Sequence, residues 1–129
     1  VHAYVVVTHP RRAARAALAE LVAGWGWTVV GEAKDGLEAV TLARTQGVDV
    51  LLVDGSSPGL EVATNLDDSK GRPVVVRLLE RPQEHAAGTG VAVLKGVPAD
   101  RLRLRIEDEL RRRRSDQHQA QGPVGKRDE

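Results

Sequence analysis

Residues 48–59 read "VDVLLVDGSSPG": an unbroken apolar run over 50–53, then an aspartate, Asp54, then a short loop closing on Pro58-Gly59. A run of valine and leucine without a polar face fits a strand covered on both sides, as in the interior of a parallel sheet. The Gly-Ser-Ser-Pro-Gly that follows has the residue types of a tight connection. An ionisable group placed where such a strand ends has left the core and faces whatever lies in the crevice beyond.

Outward from this segment the same pattern recurs. "YVVV" at 4–7, "WTVVGEA" at 27–33, "PVVVRLL" at 73–79 and "GVAVLK" at 90–95 all read as strands. Helical stretches separate them. Pro10 suits the first turn of a helix that carries Ala14, Leu18, Leu21 and Val22 at helical spacing, with Gly24 as its stop. Asp35 and Glu38 have the spacing of a capping box at the head of "DGLEAVTLAR". A last helix opens near Ala99 with Leu102, Ile106 and Leu110 on one stripe. Strand and helix alternate throughout, which predicts an α/β fold with a doubly wound, five-stranded parallel sheet.

Composition sets outer bounds. The chain has 129 residues, 41% of them apolar and 29% charged, enough for one compact domain with a core. No cysteine occurs, which removes disulfides, thiolate metal sites and cysteine nucleophiles, and suits a cytoplasmic location. No apolar run is long enough to span a bilayer, so no membrane role is expected. Net charge is +1, unevenly spread: thirteen Lys/Arg against fifteen Asp/Glu up to Leu110, six against three after it. A mildly acidic body with two Trp, one Tyr and no Phe offers neither a basic field nor stacking rings, so no direct nucleic-acid reader is expected. From residue 113 the sequence loses its apolar period. The expected division is a body over 1–112 and a disordered basic tail or linker over 113–129.

Ligands of doubly wound sheets sit at the carboxyl ends of the strands, where strand order reverses. Asp54 ends the third strand, Thr8 and His9 follow from the first, and Lys95 ends the fifth. These ends are expected to share one crevice.

At these residues the chain resembles the receiver domain of bacterial response regulators. "GEAKDGLEAV", "VDVLLVDGSSPG" and "VAVLKG" occur in the family's order, and His9-Pro10 matches a subgroup with His-Pro after the first strand. The resemblance covers residues 4 to about 112. It implies a flavodoxin-like sheet of order 2-1-3-4-5, with Asp54 as the equivalent of the aspartate that accepts a phosphoryl group from a histidine kinase. It implies Lys95 as the lysine that steadies the phosphoryl oxygens. It also implies Mg²⁺, held by an acidic pair at the end of strand one, by the acceptor and by a loop carbonyl.

Several of those parts are replaced here. The acidic-pair positions fall on Val7 and Thr8, or on Thr8 and His9 in the register shifted by one, and neither supplies the carboxylates that Mg²⁺ prefers. The hydroxyl residue that ends strand four in the family falls at Leu78, and the aromatic on strand five at Ala92. The stretch "ERPQEHAAGTG", 80–90, predicts a shortened or irregular fourth helix. The resulting expectation is a degenerate, pseudo-receiver domain of a two-component system. It is not an enzyme, has no cofactor or metal, and acts by contact with a protein partner, a homodimer mate or a linked output domain. On this view Asp54 and Lys95 persist as an ion pair.

Two alternatives stand beside it. One is a response regulator in a phosphorelay, accepting phosphoryl groups on Asp54 with Mg²⁺. The other is a small-anion sensor using Arg11 and Arg12, with Arg15 nearby, at the start of the first helix; a solvated arginine face explains the same residues without a ligand. His9 is expected to cap that helix, and "WGW" at 25–27 to close the core at its far end.

Overall fold

The computed structural model describes residues 1–66, 73–81 and 90–127, with side chains as far as residue 115. In chain order the elements are β1 (Tyr4–Thr8), α1 (Arg12–Gly24), β2 (Thr28–Ala33), α2 (Gly36–Thr45), β3 (Val50–Asp54), α3 (Leu60–Leu66), β4 (Val74–Leu79), β5 (Val91–Leu94) and α4 (Ala99–Arg127). All strand pairs are parallel, in the order β2-β1-β3-β4-β5. The chain runs outward from β1 to β2, then jumps back across β1 to β3. The carboxyl ends of β1 and β3 therefore flank the point where strand order reverses, and a crevice opens there.

The period of two along each strand divides the core into two layers. Val5, Val7, Val50, Leu52, Val74, Val76, Val91 and Val93 pack with Val22, Trp27, Leu102, Ile106 and Leu110 on one face. Val6, Leu51, Val53 and Val75 pack with Ala39, Val40, Ala63 and Leu66 on the other. The continuous apolar runs are the direct consequence, because each side chain has a layer to enter. At the amino ends of the strands, Asp49 fixes the β1–β3 register: its Oδ2 accepts from the Tyr4 amide at 2.8 Å, and its own amide donates to the Tyr4 carbonyl at 2.8 Å.

The helix ends follow local chemistry. Asp35 caps α2, its Oδ1 accepting from the Glu38 amide at 2.8 Å, while Glu38 Oε1 accepts from the Lys34 amide at 2.8 Å. Trp25 and Trp27 meet edge to face at 5.0 Å beyond α1, on either side of Gly26, whose φ of 88° is left-handed. Both rings pack against the first core layer, as the sequence led one to expect.

The last helix departs from expectation. Its backbone stays helical to Arg127, so residue 112 is not its end and 113–127 is not a coil. Glu107, Asp108 and Glu109 each precede an arginine by three or four residues, the orientation that supports a helix. Arg111 reaches Glu107 at 3.4 Å and Asp108 at 3.0 Å, Arg113 reaches Glu109 at 2.8 Å, and Arg112 also bonds Glu109. The irregular fourth helix expected within 80–90 falls mostly on residues 82–89, which lie outside the described residues. Among the described residues, no helix is long and apolar enough to cross a membrane.

Candidate functional site

Asp54 is the last residue of β3, and its side chain is only 3% exposed. A buried carboxylate needs its oxygens engaged, and here both are. Oδ1 lies 2.7 Å from Lys95 Nζ. Oδ2 accepts from the Ser56 amide at 2.9 Å and from the Ser56 hydroxyl. Lys95 immediately follows β5, its amide tied to the Leu79 carbonyl at 2.8 Å, which delivers its side chain to the crevice from two strands away. The same ammonium lies 3.3 Å from Glu80 Oε1, so the cation between these two carboxylates is the chain's own lysine.

His9 closes the other side. Its Nδ1 accepts from the Arg11 amide at 3.0 Å, which leaves the ring proton on Nε2, and Nε2 faces Asp54 Oδ1 at 3.7 Å. His9 thus ties the turn ahead of α1 and does not cap the helix: the N-cap is Arg11, which makes no side-chain capping bond. Pro10 likewise precedes the helix. Arg15 is spent on this corner, with Nη1 on the His9 carbonyl at 2.9 Å and Nε 3.6 Å from Glu32. Arg11 and Arg12 are exposed beside it.

The electrostatics follow from these contacts. Burial alone raises the Asp54 carboxyl, but the hydrogen bonds from Lys95 and Ser56 outweigh it and hold the group below its ordinary range. Burial works against the Lys95 ammonium, yet Asp54 and then Glu80 push its pKa up. For His9, burial lowers the pKa, Asp54 pulls it back, and Arg11, Lys95 and Arg15 add to the lowering, so neutral imidazole is favoured. At neutral pH the crevice holds a carboxylate, an ammonium and a neutral ring.

The replaced positions lie as follows. Val7 is in the core, and Thr8 is fully buried at the end of β1 with its hydroxyl unbonded; the Ser57 hydroxyl in the β3–α3 loop is in the same condition. Leu78 is buried directly across the sheet from Asp54, and its carbonyl takes the Gly55 amide at 2.7 Å. Ala92 sits across from Arg77 and lines a groove beside α4 instead of the crevice. The loop itself is seated by two glycines: a Cβ on Gly36 would lie 1.8 Å from the Gly59 carbonyl oxygen, and Gly59 has φ of 74°. Among the described residues, no group of three or more His, Cys, Asp or Glu side chains is arranged to hold a metal ion.

Sequence reasoning missed two members. Ser56 carries half of Asp54's bonding; its signal was the Asp-x-Ser spacing, at which an aspartate binds the backbone two residues on. Glu80, the residue after β4, falls in the stretch whose sequence predicts only a shortened or irregular fourth helix.

Among solved structures, the receiver domain of a modulated diguanylate cyclase from Desulfovibrio desulfuricans G20 matches with a TM-score of 0.73 and 25% identity, over 90% of this chain and 99% of that one. The response regulator PhyR from Brucella abortus matches with a TM-score of 0.75 and 19% identity, over 93% of this chain and 52% of that one. The fold is that of a response-regulator receiver domain. No family model matches the chain. In sequence, the transcriptional regulatory protein PdtaR of Mycobacterium tuberculosis is 33% identical over 75 residues, which is 56% of this chain. The chain spans 37% of that relative's length. Receiver topology accounts for why Asp54, Lys95 and His9 converge, since all three stand at carboxyl ends of strands.

Proposed function

We propose that this domain is a receiver-like regulatory module that works by protein contact and does not depend on magnesium-assisted phosphorylation of Asp54. The observation that carries the reading is the saturation of one carboxylate: Lys95 at 2.7 Å on Oδ1, Ser56 on Oδ2. The end of β1 brings Val7, Thr8 and His9 in place of acids. Mg²⁺ demands several oxygen ligands in octahedral array, and this donor set does not fit it. Lys95 neutralises Asp54 and Glu80 without a metal. A hydroxyl-free Leu78 and a ring-free Ala92 leave no side chains at those positions to respond to a phosphoryl group. The module is not an enzyme on this reading, and its partners are a protein surface, a second copy or a linked output domain.

A second reading keeps Asp54 as a phosphoryl acceptor fed by a histidine kinase. It is favoured by the contact between Asp54 and Lys95, since the same ammonium is where a phosphoryl oxygen would come to rest. An anion-sensing role draws only on the exposed Arg11 and Arg12, because Arg15 is already engaged. Incubation with Mg²⁺ and a small phosphodonor, followed by intact mass, separates the first two. The expected spectrum is unchanged; an added phosphoryl group that Asp54→Asn abolishes would make the second reading correct.

A further inference from the structure

A hollow of about 150 Å³ lies beside the crevice, where the carboxyl ends of β4 and β5 meet the start of α4. Leu78, Val93, Leu94, Val97 and Leu102 make its wall, and Lys95 is the charged residue of its lining. Leu78, Val93 and Leu102 keep 7%, 9% and 6% exposure, whereas Val76, Val91 and Ile106, their neighbours along the same elements, keep none. The hollow therefore reaches into the first core layer. Its outer side is open: Leu94 is well exposed, and a Cβ placed on Gly96, whose φ is 94°, would meet nothing within 4 Å.

Lys95 shows what its ammonium accepts. Asp54 is sealed and holds it at 2.7 Å, but Glu80 is a surface side chain, 64% exposed, that reaches it at 3.3 Å. Glu80 thus fills an exposed carboxylate position on the ammonium. It can leave that position for water at small cost, because a solvent-screened pair is worth little. An apolar wall beside a cation with an exchangeable carboxylate has the composition of a ligand site, mostly apolar with a few polar groups that fix orientation.

We propose that this hollow binds a small monocarboxylate with a compact apolar group, branched aliphatic or single-ring aromatic. The apolar group packs among Leu78, Val93, Val97 and Leu102, and the carboxylate takes the place of Glu80 on Lys95. Size sets the upper bound, since an apolar cavity of about 150 Å³ holds a benzene ring. Charge sets the head group. Exchanging one carboxylate for another leaves the balance around Lys95 unchanged, whereas a doubly charged phosphate adds negative charge next to the Asp54 carboxylate. The site is separate from the arginines of α1. It adds a ligand to a domain read as working by protein contact, and it does not depend on how Asp54 is read.

The probe is benzoate, titrated into the full chain and followed by amide shifts. Acetate supplies the charge without the ring, benzamide the ring without the charge, and inorganic phosphate a competing anion. Benzoate is expected to give saturable shifts centred on Leu78, Val93, Lys95, Gly96 and Val97, half complete below about 5 mM. Acetate and benzamide are each expected to bind about tenfold more weakly or worse. Lys95→Met is expected to weaken benzoate about tenfold, and Val97→Phe, which places a ring in the hollow, to abolish its binding. Glu80→Gln has the opposite sign: it removes the resident competitor, and benzoate is expected to bind about threefold more tightly. Glu80 is exposed, so this variant is read on a folded protein, and urea midpoints establish that the other two fold.

Four results overturn the inference: no half-saturation below about 5 mM benzoate, benzamide or phosphate bound as tightly as benzoate, shifts centred on Arg11 and Arg12, or an affinity that Glu80→Gln leaves unmoved or lowers. The phosphodonor experiment on the same preparation keeps the two proposals distinct. An unphosphorylated protein that ignores benzoate sinks this inference alone, whereas phosphorylation of Asp54 sinks the reading of the crevice.

Discussion

Replacing Lys95 by methionine should cost more than replacing Asp54 by asparagine, although both delete the same ion pair. The asymmetry comes from burial. Lys95→Met keeps most of the side chain's bulk but strands a carboxylate whose side chain is 3% exposed. Breaking a buried pair from one side costs about 3–5 kcal/mol. Two features reduce that figure here. The Lys95 side chain is 32% exposed, so water already screens the pair, and Ser56 keeps both its bonds to Oδ2. A loss of about 2 kcal/mol is expected. Asp54→Asn strands an ammonium instead, but that ammonium keeps Glu80 at 3.3 Å and its share of solvent, while the amide oxygen still accepts from Ser56. Its expected cost is about 1 kcal/mol. The double variant removes both charges and should be no worse than Lys95→Met alone, a coupling of about 1 kcal/mol between neighbours. Urea unfolding at pH 7 reads all four proteins; with a slope of about 1–3 kcal/mol/M, the larger loss moves the midpoint by about 1 M. Equal small losses that simply add in the double variant would refute the picture of a sealed carboxylate held by one lysine.

The remaining predictions concern pH and the seating of the crevice loop. Below about pH 6.5 the unfolded chain protonates His9 more readily than the folded one, whose His9 pKa is lowered, so stability should fall with acidification from neutrality. A second loss follows below about pH 4, as pH drops from the unfolded carboxyl value through the lower folded value of Asp54. On the alkaline side, the raised Lys95 pKa keeps its contribution intact up to about pH 10.4, and it is lost as pH rises through the folded value. Urea midpoints from about pH 2 to 9 test the neutral and acid portions, and His9→Gln should flatten the step near pH 6; a midpoint that rises on acidification from pH 7 to 5 would contradict the assignment. Gly36→Ala drives a Cβ to 1.8 Å from the Gly59 carbonyl oxygen, a backbone atom that can yield only if the loop moves. A loss of about 3 kcal/mol or more is expected by thermal or urea unfolding, and wild-type stability would show that this contact is not tight.

The fold was legible because each strand is apolar without interruption, and a continuous run is read the same way whatever surrounds it. The capping of α2 was legible for a similar reason, since Asp35 and Glu38 act within one turn. The convergence of Asp54 and Lys95 followed from topology alone: parallel strands bring their carboxyl ends to one side. Ser56, Glu80 and the real task of His9 were not legible to the same degree. Their roles depend on side-chain directions across the crevice, which no spacing encodes. The extent of α4 was misjudged for a different cause. The loss of apolar period from residue 113 reads as a disordered tail or linker, whereas Glu107, Asp108 and Glu109 give Arg111, Arg112 and Arg113 partners one turn back. The absence of apolar period in that stretch removes a packed face, not the helix.

On the proposed reading Asp54 leaves no vacancy for a divalent ion, because Lys95 and Ser56 already engage its oxygens. Manganese, a paramagnetic stand-in for magnesium, tests it directly through broadening of the amide signals of His9, Asp54 and Ser56. No site-specific, saturable broadening is expected up to about 1 mM metal. Broadening centred on Asp54 that saturates below that level and is lost in Asp54→Asn would contradict the account.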